Sequence, residues 1–232
     1  MTVEVRRGSD RFLTREVGRS TRHSFSFGSH YDQDNLGFGP MVCHDDHLLR
    51  PGLGFPDHPH SDLEIVTWVL SGALVHTDGD GEDHVLEPGG VQVQSAGSGM
   101  RHGEVASPDA GPTRFVQVWL RPDEAGREPR YSAAVVEPPP GELVPVVSGH
   151  DHVALLGVGT SSATFWVARL DAGQAITLPD DALQHVFVAT GSLGRSSLAE
   201  PLSAGDAFRI TEQPGLEVRA AAPTELLVWT FR

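Results

Sequence analysis

The sequence predicts an all-β chain made of two copies of one β-sandwich or barrel unit, and three observations predict it. Glycine and proline fill 26 and 17 of the 232 positions, which punctuates the chain too often for long helices. Short β-branched and aromatic runs end at turn residues, as in Leu63 to Leu70 (LEIVTWVL) and Thr113 to Leu120 (TRFVQVWL). Finally, Ser71-Gly-Ala-Leu74 can be laid on Thr190-Gly-Ser-Leu193, each after a β-rich run, and Pro88-Gly-Gly90 then falls on Ala204-Gly-Asp206.

From the N-terminus onward, residues 1–18 (MTVEVRRGSDRFLTREVG) lack the continuous apolar core of a signal peptide. No stretch approaches the roughly 18 apolar residues of a membrane span. Arg121 to Arg130 is charged with prolines near both ends, and Thr211 to Leu216 allows at most one turn, so helices are scarce. Three consecutive prolines and Pro145 mark Val135 to Gly149 (VVEPPPGELVPVVSG) as an extended connection. The expected organisation is a first domain over 1–134, a linker over 135–149 and a second domain over 150–232.

A net charge of -14 and a pI near 5.2 argue against attraction to phosphate backbones or anionic lipid, so neither nucleic acid nor membrane is an expected partner. Cys43 is the single cysteine, which rules out an intramolecular disulfide and suits a reducing compartment. A soluble cytoplasmic protein is expected.

Metal-ligand residues come in two pairs. His58-Pro-His60 places two imidazoles on one face of an extended strand, and Pro59, which cannot donate a ladder hydrogen bond, puts that strand at an edge, a start or a bulge. About forty residues on, His102-Gly-Glu104 repeats the spacing with a carboxylate, after glycines 97 and 99 that permit tight turns. Three imidazoles and a carboxylate suit Fe, Mn, Co, Ni, Cu or Zn and leave coordination positions open. Glu64 shares parity with His58 and His60, so spacing alone leaves it a rival to Glu104. His44, His47, His76 and His84 form no second pair at strand spacing and read as surface or pocket-rim residues. Phe25, Phe27, Phe38, Phe55, Trp68 and Met100 are candidates to wall a pocket for a planar molecule, and Met41 and Val42 are candidates for the core.

Gly52-x5-His58-x-His60-x3-Glu64 followed by Gly99-x2-His102 resembles the two cupin motifs. The ordered series His23-Ser-Phe-Ser-Phe27, Leu36-Gly-Phe-Gly39, Pro51-Gly-Leu-Gly-Phe55, His58-Pro-His60, Glu64-Ile-Val-Thr67, Gln94-Ser-Ala-Gly-Ser-Gly99 and His102-Gly-Glu104 resembles, more narrowly, the pirin family over about residues 20 to 131. The resemblance implies two tandem cupin barrels of the double-stranded β-helix or jelly-roll kind. It also implies a metal held by His58, His60, His102 and Glu104, with Glu64 left to a supporting role and Gly103 standing where the family pattern has serine.

What the resemblance implies for function is an Fe(II)-dependent dioxygenase that opens a flavonol such as quercetin with O2 and releases CO, with Glu104 close enough to take the substrate proton. The alternative it carries is an iron- or redox-sensing regulator that binds another protein without turnover. A monomer is expected. In the second half, the alignment sets Thr177 and Pro179 where His58 and His60 stand, and Val218 and Ala220 where His102 and Glu104 stand. It leaves His185 as a core or surface residue and the second unit as a scaffold.

Overall fold

The β-rich runs become strands with nearly the bounds their composition suggests: Glu64–Ser71 and Thr113–Leu120. The computed structural model describes residues 2–150, 154–194, 201–213 and 215–232, and among these the helical content is one 3-10 turn, Gly8–Asp10. Arg121 to Arg130 forms no helix, and neither do the described residues of Thr211 to Leu216; Pro214 lies outside them. No helix among the described residues is long and apolar enough to cross a membrane.

Contacts divide the chain into two units. One comprises Arg11–Val136 with Val158–Thr160; the other comprises Met1–Asp10, Glu137–Gly157 and Ser161–Arg232. The N-terminal strand Thr2–Arg6 therefore belongs with the C-terminal half, where it pairs with Ala207–Thr211. The proline-rich stretch carries a strand of its own, Leu143–Ser148, paired with Ala163–Leu170. Pro145 is accommodated at the irregularity between Pro145 and Val147, where the ladder asks for no donor.

In the first unit a seven-stranded antiparallel sheet runs Arg130–Val135, Gly90–Ser95, Glu64–Ser71, Thr113–Leu120, Met41–Leu49, Arg19–His23, Phe12–Glu16. A four-stranded sheet runs Gly54–His60, Met100–Ala106, Leu74–Asp78, Asp83–Leu86. The strand with Pro59 is an edge strand, as its missing donor requires. Between the sheets, Leu49, Val69 and Phe115 from one meet Leu74, Leu86 and Ala106 from the other in a fully buried cluster.

Stepping by two along the same strands leaves that cluster and enters polar ground. Ala106 gives way to Glu104 and His102, Phe115 to Gln117 and Trp119, Leu49 to His47 and Asp45, and Leu74 to His76. One end of the unit thus holds it together by apolar burial, and the other presents side chains that can do chemistry.

The second unit repeats the plan. Its seven-stranded sheet runs Thr2–Arg6, Ala207–Thr211, Leu183–Thr190, Thr224–Phe231, Ala163–Leu170, Leu143–Ser148, Leu156–Gly157. Gly72 and Gly191 both have φ of 75°, and a side chain on either would collide with a Pro-Thr pair, Pro112-Thr113 or Pro223-Thr224. In both units that threonine hydroxyl accepts from the backbone N–H of the residue after the glycine, Ala73 at 3.1 Å or Ser192 at 3.0 Å. It donates to the same residue's carbonyl at 2.9 Å in each case. The pairing of Ser71-Gly-Ala-Leu74 with Thr190-Gly-Ser-Leu193 is therefore structural, down to the buried hydroxyl that closes the turn.

In this unit the short ladder that corresponds to the ligand pairs buries apolar side chains, while Gln184, Thr164 and Thr230 are buried polar residues on the long strands. Ile176 pairs with Val218 in a short two-stranded ladder, and both lie in the apolar core with Leu178 and Ala220. Thr177, which the sequence alignment set against His58, is exposed, and Pro179 is not an inward residue either. The alignment there is one residue out of phase, and a slip of one turns every side chain to the opposite face. His185 is a core residue.

Candidate metal centre

Three imidazoles converge where the four-stranded sheet opens. His58 and His102 face each other across the ladder between Gly54–His60 and Met100–Ala106, and His60 is two residues further along the same face. Their ring centroids are 4.5 to 4.9 Å apart, and the Nε2 atoms of His58 and His102 are separated by 3.1 Å. Two nitrogens about 2.1 Å from a shared ion at a right angle would stand about that far apart.

Hydrogen bonds set the imidazole tautomers. The carbonyl of Pro56 can only accept, so His58 Nδ1, 2.8 Å away, carries its proton and the Nε2 lone pair is free. His102 Nδ1 is 3.1 Å from the amide of Gln94, whose Oε1 is otherwise buried without a partner. Turned so that Oε1 accepts from Nδ1–H, this amide satisfies itself and frees Nε2 of His102 as well. His60 Nε2 is buried and has no hydrogen-bond partner at all. With His58 and His102 in these tautomers, two lone pairs meet beside the unpartnered His60 Nε2, an arrangement that a cation completes.

Glu104 lies beside this group, two residues beyond His102 and past a register irregularity, within ligand spacing of His102 and His76. Its Oε1 accepts from Gln92 and Gln117 Nε2, each at 3.0 Å, and its Oε2 accepts from Gln117 at 2.9 Å. Gln117 is held in turn by Trp119 Nε1–H, which donates to Gln117 Oε1 at 3.0 Å, and Tyr131 donates to Gln92 at 3.3 Å. Gln92 and Gln117 thus hold the Glu104 carboxylate from outside the ligand cluster.

Burial dominates the protonation states. It holds His60 at about 4 and His102 at about 2, with neighbouring imidazoles adding to the depression, so these ligand nitrogens stay neutral at physiological pH. It also lifts Glu104 to about 7, against the opposing pull of the Gln117 and Gln92 amides. A cation beside this carboxylate would reverse that rise. The residues present therefore fit a divalent transition metal.

Glu64 is elsewhere. It accepts from Ser95 Oγ at 2.7 Å and from the Gly159 amide at 3.0 Å, and among the described residues it belongs to no ligand cluster. The parity argument fails because Asp62, with φ of 49°, breaks the strand between His60 and Glu64. Glu64→Gln is expected to leave about one metal per chain by elemental analysis; loss of the metal would restore Glu64 as a ligand.

The surface-or-rim reading needs correction for His44 and His76, which are fully buried; His47 is buried but lines the cavity, and His84 is part-exposed. His76 packs 5.1 Å from the His102 ring, with Gln94 Nε2 at 3.2 Å, and stacks on Tyr131, which also stacks on the part-exposed His84. His76 and His84 stand opposite each other on paired strands, a relation that no spacing along one strand reveals. A third ligand-like group, Asp78, Glu82 and His84, sits on that hairpin, where Asp78 Oδ1 already accepts the Asp80 and Glu82 amides.

A cavity of about 390 Å³ opens in front of His58, His60 and Glu104, a size suited to one small molecule. Of the six predicted wall residues, Phe27 and Phe55 line it, joined by Trp119. Phe25 and Trp68 are fully buried, and Met100 lines a separate shallow depression with Pro59 and Arg101. Phe38 does not reach the cavity either; its backbone pairs with that of Met41, which is fully buried, whereas Val42 is half-buried. Arg19 lies over the Phe55 ring at 4.4 Å and donates to the Gly54 carbonyl, fixing the cavity mouth.

Comparison with known proteins agrees with this construction. The pirin family model matches residues 6–120. A Mycobacterium tuberculosis protein named "Putative quercetin 2,3-dioxygenase" is 41% identical over 98% of this chain and 94% of its own length. A Caulobacter vibrioides pirin-like protein is 34% identical over 89% of this chain and 90% of its own. The crystal structure of a bacterial pirin from Escherichia coli in complex with nickel(II) superposes with a TM-score of 0.90 at 25% identity, covering 99% of each chain. Motifs, fold and relatives agree, and the chain belongs to the pirin family.

Proposed function

We propose that the protein is a metal-dependent dioxygenase of the quercetin 2,3-dioxygenase type, with one divalent ion held by His58, His60, His102 and Glu104. The observation that supports the reading is the grouping of His58, His60 and His102 at ligand spacing, with the buried Glu104 carboxylate at ligand spacing from His102, beside an aromatic-walled cavity that His58, His60 and Glu104 line. Iron(II) is the ion proposed, on the strength of the family and a donor set of borderline nitrogens with one hard oxygen. The single buried cysteine accords with a reducing, cytoplasmic setting.

When bound, the ion supplies Lewis acidity that favours the flavonol as its anion, the form that reacts with O2. The chain does the rest. Phe27, Phe55 and Trp119 receive the flat rings and keep water from them. Glu104, held by three amide hydrogen bonds, is placed to take the proton of the substrate hydroxyl. Ring opening then consumes one O2 and expels one carbon as CO. Protein loaded with Fe(II) should consume O2 and release CO in equal amounts on quercetin. Turnover that survives both His58→Ala and Glu104→Ala would overturn the assignment, as would loading without any O2 uptake.

A further inference from the structure

The motif His23-Ser-Phe-Ser-Phe27 has no part in the metal cluster, yet its histidine lines the same cavity together with Thr14 and Asp45. His23 and Asp45 stand opposite each other on neighbouring strands, and His23 Nδ1 lies 2.8 Å from Asp45 Oδ2 with both side chains almost fully buried. A carboxylate only accepts, so Nδ1 carries the proton and Nε2 turns its lone pair outward. That lone pair meets Thr14 Oγ1 at 2.9 Å, and the hydroxyl's other neighbour is His30 Nε2 at 3.2 Å. The one hydroxyl hydrogen goes to His23, and the oxygen, accepting from His30, keeps a further lone pair. Each bond in the series from Asp45 through His23 to Thr14 polarises the next, which makes Oγ1 a stronger acceptor than an isolated hydroxyl.

An apolar wall separates this group from the metal cluster. His23 stacks on Phe27 at 5.1 Å, Phe27 meets Trp119 edge-on at 5.5 Å, and Trp119 meets His60 at 5.0 Å. The cavity therefore has aromatic surface between the metal cluster and the group of Thr14, His23 and Asp45, two of the polar regions in its lining. A flat aromatic ligand with a hydroxyl group at each end complements that arrangement.

We infer that Thr14, His23 and Asp45 form a second recognition pole that accepts a hydrogen bond from a phenolic hydroxyl remote from the metal, so that Thr14 and His23 set specificity for polyhydroxylated flavonols. The inference rests on the flavonol reading above and adds the choice among flavonols. Isothermal titration without O2, on nickel(II)-loaded protein, separates it from turnover. Quercetin should bind roughly tenfold more tightly than 3-hydroxyflavone, which has no other hydroxyl. His23→Asn, whose amide can still donate to Asp45, and Thr14→Val should bring the ratio to within about twofold. Thr14→Ser should keep the preference.

Equal binding of the two flavonols by the unaltered protein would overturn the inference, as would a preference that persists in both His23→Asn and Thr14→Val or disappears in Thr14→Ser. Protein that shows the preference but consumes no O2 when loaded with Fe(II) would sink the catalytic reading and leave this one standing.

Discussion

Replacing His102 by alanine is expected to strip the protein of its metal and to lower quercetin-dependent O2 uptake by more than about a hundredfold. His102 is the centre of the cluster: it faces His58 across one ladder and Asp78 across the other, is fully buried, and takes its orientation from Gln94. Loss of an outer partner to a metal ligand typically costs about 10–100-fold, and loss of a ligand should exceed it. The fold should survive, because Leu49, Val69, Leu74, Leu86, Ala106 and Phe115 form the apolar cluster at the other end of the same strands. Melting separates the two effects. Metal at about a hundred times its dissociation constant stabilises the binding form by about 2.7 kcal/mol, and that increment should vanish in His102→Ala while the metal-free midpoint changes little. A metal-dependent rise that persists in the variant would place the ion elsewhere.

Changing Glu104 to glutamine should move two observables in opposite directions. Burial raises this carboxyl from 4.5 to about 7, so between those values the folded protein keeps a proton that the unfolded chain releases. The stability it contributes therefore falls as pH rises through that window and stays low above it. The rise corresponds to roughly 3 kcal/mol at pH 8, an upper figure because the Gln117 amide must reorient beside a second amide. Metal-free Glu104→Gln should thus melt several degrees above the unaltered protein at pH 8 and level with it near pH 4.5. Buried His47, His60 and His76, each lowered to about 4, lose stability as pH falls from 6.5 towards 4, but they do so in both proteins and cancel in the difference.

Metal binding gives the opposite sign. Below pH 7 the ion must displace the Glu104 proton, so affinity should climb about tenfold per pH unit up to 7 and then level off. The variant should bind more weakly, with a flatter profile. Matching profiles for the two proteins would mean that Glu104 is not a ligand.

The clustering of the candidate ligand histidines was legible because strand spacing is local: His58 and His60 two apart, then His102 two before Glu104, are same-face pairs in sequence and in space. Pro59 announced its edge strand for the same reason, through a missing donor. What sequence hid depends on pairing between distant strands. Gln92, Gln94 and Gln117 are unremarkable polar residues until the ladders bring them onto Glu104 and His102, and His76 reaches His102 only through the direct pairing of their two strands. Parity misled where it was carried across a break, at Asp62 before Glu64, and where one residue of slip replaced Ile176 and Leu178 by Thr177 and Pro179. Thr2–Arg6 pairs with a strand some two hundred residues away, which no local pattern encodes. Trp119 could have been found, since it follows Phe115 and Gln117 at the same alternation within one strand.

Crystals soaked in nickel(II) and measured at the metal absorption edge test the central claim most directly. The account predicts one strong anomalous peak about 2.0–2.2 Å from Nε2 of His58, His60 and His102 and from a carboxylate oxygen of Glu104. A peak at Asp78, Glu82 and His84 instead, or none within reach of the three histidines, would contradict it.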